Sequence, residues 1–373
     1  MKKLVYKPFD SSMAFLGSIV VQQILAIVFV IASTIIIGFT EGSMDAFWET
    51  EFATILTVLI AQFSFLIVFF IINATKNYDF LKAPRIKKNI SLINIALCVV
   101  IAFVAVFGFS NLVGYFDLFL EYISYPLINE TPLPLDGAFW LAVNLVLLAV
   151  LPAICEELIF RGVVLNGFRK LGNGKAIIFS ALFFTLMHGN IQQTVFQFIL
   201  GIILAFVVIK TGNLIYSMII HFFNNSIVIV WQYFSESSGE ISANWGNFLI
   251  ALLIAIVASL SIYLLIKVLK KENIAKTKDK FVLNDKTGNL ELESEVNNDE
   301  AVGINFDNGN INVVSFKSEK ALYNEIEENS FKAEKMNQSS LIIFSIAVGL
   351  SSLFWLVDLL TKVFYRKWLT FVI

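Results

Sequence analysis

The chain has 373 residues, of which 57% are hydrophobic and 15% are charged. A soluble domain carries about 25% charged residues, so the composition favours an integral membrane protein. The net charge of −2 arises from basic and acidic segments that are separated along the chain. No basic, aromatic-rich stretch is present, and we therefore expect no nucleic-acid partner. Cys98 and Cys155 lie in apolar runs, without the spacing of a disulfide framework or a zinc ribbon.

Nine apolar runs predict helices that cross or enter a lipid bilayer, because a spanning helix needs about 20 apolar residues. The first run is too long for the apolar region of a signal peptide, so we predict an uncleaved first helix. The fifth run is short, and we expect it to be tilted or surrounded by protein. The predicted fold is an all-α polytopic transmembrane helix bundle, with an eight-helix core and a C-terminal ninth apolar helix. The runs are 13–39, 52–73, 91–114, 138–165, 175–189, 193–210, 213–234, 246–268 and 340–361.

The loops between these runs alternate between basic and acidic, as the positive-inside rule predicts for successive crossings. This alternation predicts eight crossings with a cytoplasmic N-terminus and both ends of the core in the cytoplasm. We expect a multi-pass protein of a bacterial plasma membrane. The orientation of the last helix stays open, because Lys362, Arg366 and Lys367 follow it on the predicted outer side. The basic positions include Lys2, Lys3, Lys7, Lys82, Arg85, Lys87, Lys88, Arg169, Lys170, Lys175, Lys210, Lys267, Lys270 and Lys271; the acidic ones include Glu41, Asp45, Glu49, Glu51, Asp117, Glu121, Glu130, Asp136, Glu236 and Glu240.

Three segments follow from these patterns. Residues 1–270 form the predicted membrane core, and residues 339–373 form the predicted C-terminal membrane helix and tail. Residues 271–338 are polar and mostly acidic, and we expect them in the cytoplasm. Short β-type runs separated by the turn sequences 285–288 and 307–309 predict hairpins there. A disordered loop is the alternative for this segment.

Ionisable residues inside apolar spans are energetically costly and indicate functional sites. The fourth span carries Glu156, Glu157 and Arg161. The fifth carries His188 and the seventh carries His221, and these are the two histidines of the chain. Three predicted helices thus carry a concentrated set of acid, base and imidazole groups.

Helix geometry separates the roles of the two adjacent carboxylates, because neighbouring side chains on a helix point about 100° apart. Glu157 precedes Arg161 by four residues, which is the favoured orientation for an ion pair. A buried guanidinium without a partner would be very costly. We therefore expect an internal salt bridge between Glu157 and Arg161, which leaves Glu156 as the candidate general base.

The same four-residue spacing places Phe184 beside His188 and His221 beside Asn225. The depth of each residue in the membrane gives an independent argument that they meet. We estimate this depth from the number of residues between each of them and the nearest basic loop. Glu156 and His188 each lie thirteen residues from a basic residue of the fourth loop, or about 20 Å into the bundle. His221 lies eleven residues after Lys210, or about 16 Å in. The predicted topology therefore brings the acid and both imidazoles to a similar depth.

These residues form motifs that resemble those of the CPBP family, the CAAX prenyl protease and bacteriocin-processing proteins, also called Abi proteins, which include Rce1-like proteases. Residues 156–161, Glu-Glu-Leu-Ile-Phe-Arg, resemble the family's EExxxR motif. Residues 184–188 match FxxxH, and residues 221–225 match HxxxN. The three motifs lie in order within 156–225, and the resemblance extends over about 90–268.

The resemblance implies an intramembrane endopeptidase that hydrolyses peptide bonds of membrane-associated proteins or peptides. It implies that Glu156 and His188 activate the attacking water and that His221 and Asn225 stabilise the oxyanion. Glu157 and Arg161 would support the site, with Phe184 beside them. The eukaryotic substrates of the family are prenylated CAAX proteins, and the substrate of this chain stays open.

The family carries a metalloendopeptidase label, so a metal has to be considered. Glu156, His188 and His221 are candidate ligands, since zinc accepts two histidines and a carboxylate with water in the fourth position. The HExxH signature is absent, however, and a Glu156 that bound zinc would leave no evident general base. We therefore expect glutamate-dependent catalysis without a cofactor, and keep zinc as the alternative.

Two other functions remain open. The first is a catalytically inactive membrane protein of the same fold, acting as a scaffold or in bacteriocin self-immunity. The second is a proton-coupled transporter that uses the buried charges as a relay. The complete set of catalytic residue types favours the protease over the scaffold. The sequence has no internal repeat and no pair of broken helices, which disfavours the transporter.

Overall fold

The computed structural model describes residues 3–40, 42–88, 90–127, 132–235, 245–269 and 336–372, together with the strand residues 280–284, 289–293, 301–307 and 310–316. Several predictions therefore lie outside the described residues. They concern the acidic loop residues Glu41, Glu130, Glu236 and Glu240, the basic residues Lys2, Lys270 and Lys271, and most of the segment 271–338, including both predicted turn sequences except Asp307.

Helices make up the membrane part of the described chain, which confirms the predicted all-α class. All nine predicted spans correspond to helices, and one additional short helix lies in the first loop. In chain order the helices are α1 (Pro8–Thr40), α2 (Met44–Trp48), α3 (Glu51–Thr75), α4 (Leu92–Tyr122), α5 (Gly137–Leu171), α6 (Asn173–Met187), α7 (Thr194–Thr211), α8 (Ile215–Phe234), α9 (Trp245–Val268) and α10 (Gln338–Val372).

Several helices extend beyond the apolar runs, because side-chain caps and buried polar contacts continue the helix where hydropathy falls. Helix α1 begins at Pro8, whose fixed φ and missing N–H suit a first helical turn. Ser11, in the first turn of α1, is buried, and its hydroxyl donates to the carbonyl oxygen of Val164 at 2.9 Å. Helix α3 begins after Thr50, whose Oγ1 accepts from the backbone N–H of Ala53 at 3.2 Å.

Helix α5 changes its hydrogen-bonding pattern along its length. The turns Leu145–Val150 and Leu158–Leu165 are π-helical, and the α-helical turn Leu151–Glu157 lies between them. Pro152 gives a local reason for the first π-helical turn, because it has no N–H to donate to the carbonyl oxygen of Leu148, four residues earlier. Such π-helical turns are frequent at functional sites, and these two flank the adjacent carboxylates of the candidate site.

Seven of the described helices are long and apolar enough to cross a membrane: α1, α3, α4, α5, α7, α9 and α10. Large aliphatic and aromatic side chains are exposed along α1, α9 and α10, as expected for helices that face lipid. Helices α6 and α8 do not meet this criterion, although they lie in the same bundle. His221 lies on α8 and His188 directly follows α6, so both histidines lie on or next to the two core helices that do not meet this criterion.

The helices around α5 pack closely. Helix α4 packs against α8 and α9, α6 against α7, and α3 against the central turn of α5. At the contact between α6 and α7, a Cβ added to Gly201 would lie 2.9 Å from the Cα of Ala181, so only glycine fits without displacement. This close approach matters for the site, because the carbonyl oxygen of Gly201 is one of its hydrogen-bond acceptors.

The chain divides into two compact units, one of residues 1–272 and 335–373 and one of residues 273–334. The second unit contains two antiparallel hairpins among its described residues. One pairs β1 (Lys280–Asn284) with β2 (Asn289–Glu293), and the other pairs β3 (Ala301–Asp307) with β4 (Asn310–Phe316). The cytoplasmic position and the role of this segment stay predictions.

Candidate active site

Glu156 lies on the central turn of α5 and is 8% exposed. Its Oε1 accepts a hydrogen bond from the side-chain amide of Gln62 on α3, at 3.0 Å. Its Oε2 is buried and has no hydrogen-bond partner among the described residues. One carboxylate oxygen is therefore fixed by the protein, while the other is available to a reacting group.

Glu157 points to a different set of partners. Its Oε1 accepts from Nη1 of Arg161 at 2.6 Å, which is the ion pair that the four-residue spacing predicts. Both side chains are fully buried. The guanidinium also donates to the carbonyl oxygen of Gly201 at 3.3 Å and lies 4.2 Å from the ring centroid of Phe184. Arg161 thus connects helices α5, α6 and α7.

His221 lies between the two carboxylates and is 2% exposed. Its Nδ1 is 3.0 Å from Oε1 of Glu157, and its Nε2 is 4.0 Å from Oε2 of Glu156. Because a carboxylate with a guanidinium partner accepts hydrogen bonds, Nδ1 is assigned as the donor. A proton on Nε2 as well would make the side chain an imidazolium, with a donor directed at the Glu156 side.

His188 follows the last residue of α6 and is half-buried. Its Nδ1 is 2.7 Å from the carbonyl oxygen of Phe184, an atom that can only accept. The neutral imidazole therefore carries its proton on Nδ1 and a lone pair on Nε2, which suits a base or a water ligand. The Phe184 ring contacts both imidazoles, with centroid distances of 4.8 Å to His188 and 5.7 Å to His221.

Asn225 lies one turn beyond His221 on α8 and is half-buried. Its Nδ2 donates to the carbonyl oxygen of Leu148 at 2.9 Å, and its Oδ1 accepts from the amide of Asn224 at 3.1 Å. The Leu148 carbonyl has no α-helical donor, because residue 152, four positions later, is a proline without an N–H. One amide hydrogen of Asn225 is therefore committed to α5, and the second is left for another acceptor.

The charges of this cluster determine what it can do with a proton. Two carboxylates, Glu156 and Glu157, face one guanidinium, Arg161, and one imidazole, His221. A net charge in a buried site is costly, and the cluster is neutral when it holds one extra proton on Glu156 or on Nε2 of His221. The 4.0 Å between these groups suits a bridging hydroxyl or water, so the arrangement can accept and return a proton.

The geometry gives less support to a bound metal. Among the described residues, no three His, Cys, Asp or Glu side chains group closely enough to hold a metal ion. Gln62 holds Oε1 of Glu156 and Glu157 holds Nδ1 of His221, and these bonds do not use Oε2 of Glu156 or Nε2 of His221. Catalysis without a cofactor therefore stays a prediction, with zinc as its alternative.

The fold and the site together define a multi-pass helical membrane protein with a buried cluster of carboxylates, imidazoles and a guanidinium. Residues 138–227 match the family model described as type II CAAX prenyl endopeptidase Rce1-like. This segment contains all three motifs, and the match supports membership of the CPBP family. Neither the search of curated proteins nor the search of solved structures finds a match.

The structure brings Glu156, Glu157, Arg161 and His221 together, and places Phe184 against the guanidinium and both imidazoles. His188 and Asn225 lie at the ends of this cluster. Three contacts have no counterpart in the sequence analysis: Gln62 with Glu156, Glu157 with His221, and Asn225 with Leu148. Gln62 is a polar amide within the apolar run 52–73, and this could have indicated a buried polar contact. Pro152 could have indicated that the Leu148 carbonyl needs a donor from elsewhere.

Proposed function

We propose that the chain is an intramembrane endopeptidase of the CPBP type that hydrolyses peptide bonds of membrane-associated proteins or peptides. The observation that carries this proposal is the buried, unpartnered Oε2 of Glu156, 4.0 Å from Nε2 of His221. An unpartnered carboxylate oxygen facing an imidazole is an arrangement for proton transfer. The match of residues 138–227 to the Rce1-like family supports the same reaction class.

In the proposed reaction, water attacks the carbonyl carbon of the substrate peptide while Glu156 Oε2 removes one of its protons. His188 Nε2 accepts a hydrogen bond from the other O–H of the water, which stays on the oxygen, and so orients the nucleophile. Gln62 holds Oε1 of Glu156 and keeps the reacting oxygen directed towards the water. Positioning and general-base catalysis then act together in a site of low dielectric constant.

The carbonyl oxygen becomes an oxyanion, which accepts hydrogen bonds from Nε2–H of the His221 imidazolium and from the second amide hydrogen of Asn225. Glu157 stabilises this imidazolium through Nδ1, and Arg161 balances the charge of Glu157. The proton on Glu156 then passes to the departing nitrogen as the carbon–nitrogen bond breaks. The products are a carboxyl terminus and an amine, and the cluster returns to its starting protonation state.

A glutamate mechanism without a metal is part of this proposal, since the cluster supplies both a base and oxyanion donors. A non-catalytic protein of the same fold, such as a scaffold or a self-immunity protein, is the alternative function. It would need the ion pair of Glu157 and Arg161 but no reactive Oε2 on Glu156. The two functions therefore differ in what they require of Glu156.

The experiment compares the membrane peptides of cells that express the protein, its Glu156→Gln variant or its Glu49→Gln variant at equal membrane levels. Glu49 is exposed in the first loop, so its substitution is a matched chemical control. We expect newly formed peptide termini with the unaltered protein and with Glu49→Gln, and none with Glu156→Gln. Identical peptides in all three samples would contradict a protease, and the substrate is identified by any termini that differ.

A further inference from the structure

An open cavity of about 570 Å³ lies outside the candidate active site, where the N-terminal segment meets the end of α3 and the start of α10. These three parts of the chain belong to the same compact unit. The side chains that matter for its chemistry are three lysines, one carboxylate and two aromatic rings: Lys3, Lys7, Lys76, Asp10, Phe9 and Tyr78.

The walls of this cavity are held in place by backbone and side-chain bonds. The N–H of Lys3 donates to the carbonyl oxygen of Asn77 at 2.8 Å, and the N–H of Asp79 donates to the carbonyl oxygen of Lys3 at 2.9 Å. The buried hydroxyl of Tyr6 donates to Oδ1 of Asn73 at 2.7 Å. The N-terminal segment is therefore fixed to the end of α3, which sets the backbone positions from which Lys3 and Lys7 extend.

The one carboxylate of the cavity is already compensated. Asp10 is 2% exposed, forms an ion pair with Lys76, and accepts from the Tyr78 hydroxyl at 2.6 Å and from the backbone N–H of Lys7 at 2.8 Å. Burial raises the pKa of Tyr78 above its ordinary value, so this hydroxyl remains a donor. Lys3 and Lys7 are exposed and have no carboxylate partner among the described residues. The cavity therefore carries an excess positive charge.

The helix ends around the cavity add to this charge and define its position. Helices α1 and α10 both begin here, and the first turn of a helix presents partial positive charge. Helices α1, α3 and α10 are long and apolar enough to span a membrane, so in a bilayer their ends would be placed near the lipid headgroups. The rings of Phe9 and Tyr78 suit the same interface.

We propose that this cavity binds the phosphate-bearing headgroup of an anionic membrane lipid. Lys3 and Lys7 contact the phosphate, and the lipid chains extend along the apolar surfaces of the spanning helices. The site is separate from Glu156 and its partners, so lipid binding does not depend on the proposed protease activity. A soluble phosphate has the same anionic group, but it lacks the acyl chains that the adjacent lipid-facing helices would contact.

The test uses the purified full-length protein in detergent, with native mass spectrometry to count bound lipid and thermal melting to measure stabilisation. Phosphatidylglycerol is the anionic probe, phosphatidylcholine is the zwitterionic control, and inorganic phosphate is the soluble control. The Lys3→Gln, Lys7→Gln double variant removes the two cations without a carboxylate partner, including Lys3 at 5.7 Å from the Tyr78 ring centroid, and leaves the pair of Lys76 and Asp10 intact. The Lys88→Gln, Lys175→Gln double variant makes the same charge change at exposed lysines that do not line the cavity.

We expect phosphatidylglycerol to bind and stabilise the unaltered protein, and phosphatidylcholine and inorganic phosphate to have little effect. Each lysine near an anionic headgroup contributes about a fivefold factor, so the cavity variant should bind about 25-fold more weakly. The control variant should bind as the unaltered protein does. Equal losses in both variants would contradict a defined site, and equal stabilisation by inorganic phosphate would contradict a lipid ligand.

Discussion

Glu156 and Glu157 are neighbours in the chain, yet their side chains are directed to different helices. Glu157 is enclosed by Arg161 and His221, whereas Glu156 is held at one oxygen by Gln62 and has the other unpartnered. The helical rotation of about 100° per residue explains this division. The two carboxylates should therefore respond differently to the same substitution.

Replacing Glu157 by Gln should destabilise the protein, because it leaves the buried Arg161 guanidinium without its counter-charge. Removing one partner of a buried ion pair costs about 3–5 kcal/mol. Glu156→Gln should melt close to the unaltered protein, since the new amide oxygen can still accept from Gln62. Thermal melting of the purified variants measures both effects. Equal losses of stability in the two variants would contradict the separate environments of the carboxylates.

Gln62→Met should lower peptide cleavage about tenfold or more, because it removes a charge-assisted hydrogen bond to Glu156 while keeping a similar volume. The exposed Gln23 on α1 offers a control, and Gln23→Met should cleave at the normal rate. Cleavage rates and melting temperatures of both variants separate catalysis from folding. A normal rate in Gln62→Met would show that Glu156 needs no fixed orientation.

At the scale of the element, helix α5 carries both carboxylates of the candidate site and has an irregular backbone hydrogen-bonding pattern next to them. Its two π-helical turns flank the turn that carries both carboxylates. Pro152 removes the α-helical donor of the Leu148 carbonyl, and Asn225 on α8 supplies a donor from another helix. In a membrane this compensation matters, because an unsatisfied backbone group has no water to bind. The link also fixes the position of α8, on which His221 lies.

A double-mutant cycle tests this link. Asn225→Ala should cost about 1–3 kcal/mol in the Pro152 background, since it leaves the Leu148 carbonyl without its side-chain donor. In a Pro152→Ala background, the restored N–H of residue 152 can bond the same carbonyl, and the cost of Asn225→Ala should fall. Thermal melting of the four proteins gives the coupling. Additive losses would mean that the two residues act independently.

The sequence predicts the helices and the pair of Glu157 and Arg161 because both depend on local spacing. It does not predict the contact of His221 with Glu157 or of Gln62 with Glu156, because these depend on which helix faces meet. Those residues are 64 and 94 positions apart. Hydropathy also does not predict the π-helical turns, because it reports apolar content and not the backbone hydrogen-bonding pattern.

At the scale of the whole molecule, the described bundle surrounds a small polar site with helices that expose apolar side chains. Helices α6 and α8 do not meet the criterion that the seven spanning candidates meet, and His188 follows α6 while His221 lies on α8. Helix α6 is apolar but too short to span, whereas α8 carries the polar site residues His221 and Asn225. The bundle can therefore keep ionisable groups in a membrane by enclosing them in protein.

The proposed mechanism predicts that metal chelation leaves cleavage unchanged. In this mechanism Glu156 is the base, and His221 and Asn225 are the donors to the oxyanion, so no proposed step requires a metal. The measurement is the cleavage rate of purified protein before and after incubation with a strong chelator, followed by dialysis. Loss of activity that added zinc restores would overturn this mechanism and assign a metal to the site.

The central claim is that Glu156 activates water to hydrolyse a peptide bond, and an isotope experiment tests it most directly. Purified protein in lipid nanodiscs is incubated in ¹⁸O-labelled water with a peptide identified by the cellular comparison. We predict that one labelled oxygen enters the new carboxyl terminus with the unaltered protein and with Glu49→Gln, and that Glu156→Gln forms no product while remaining folded. Labelled product formed by Glu156→Gln at the normal rate would contradict the claim.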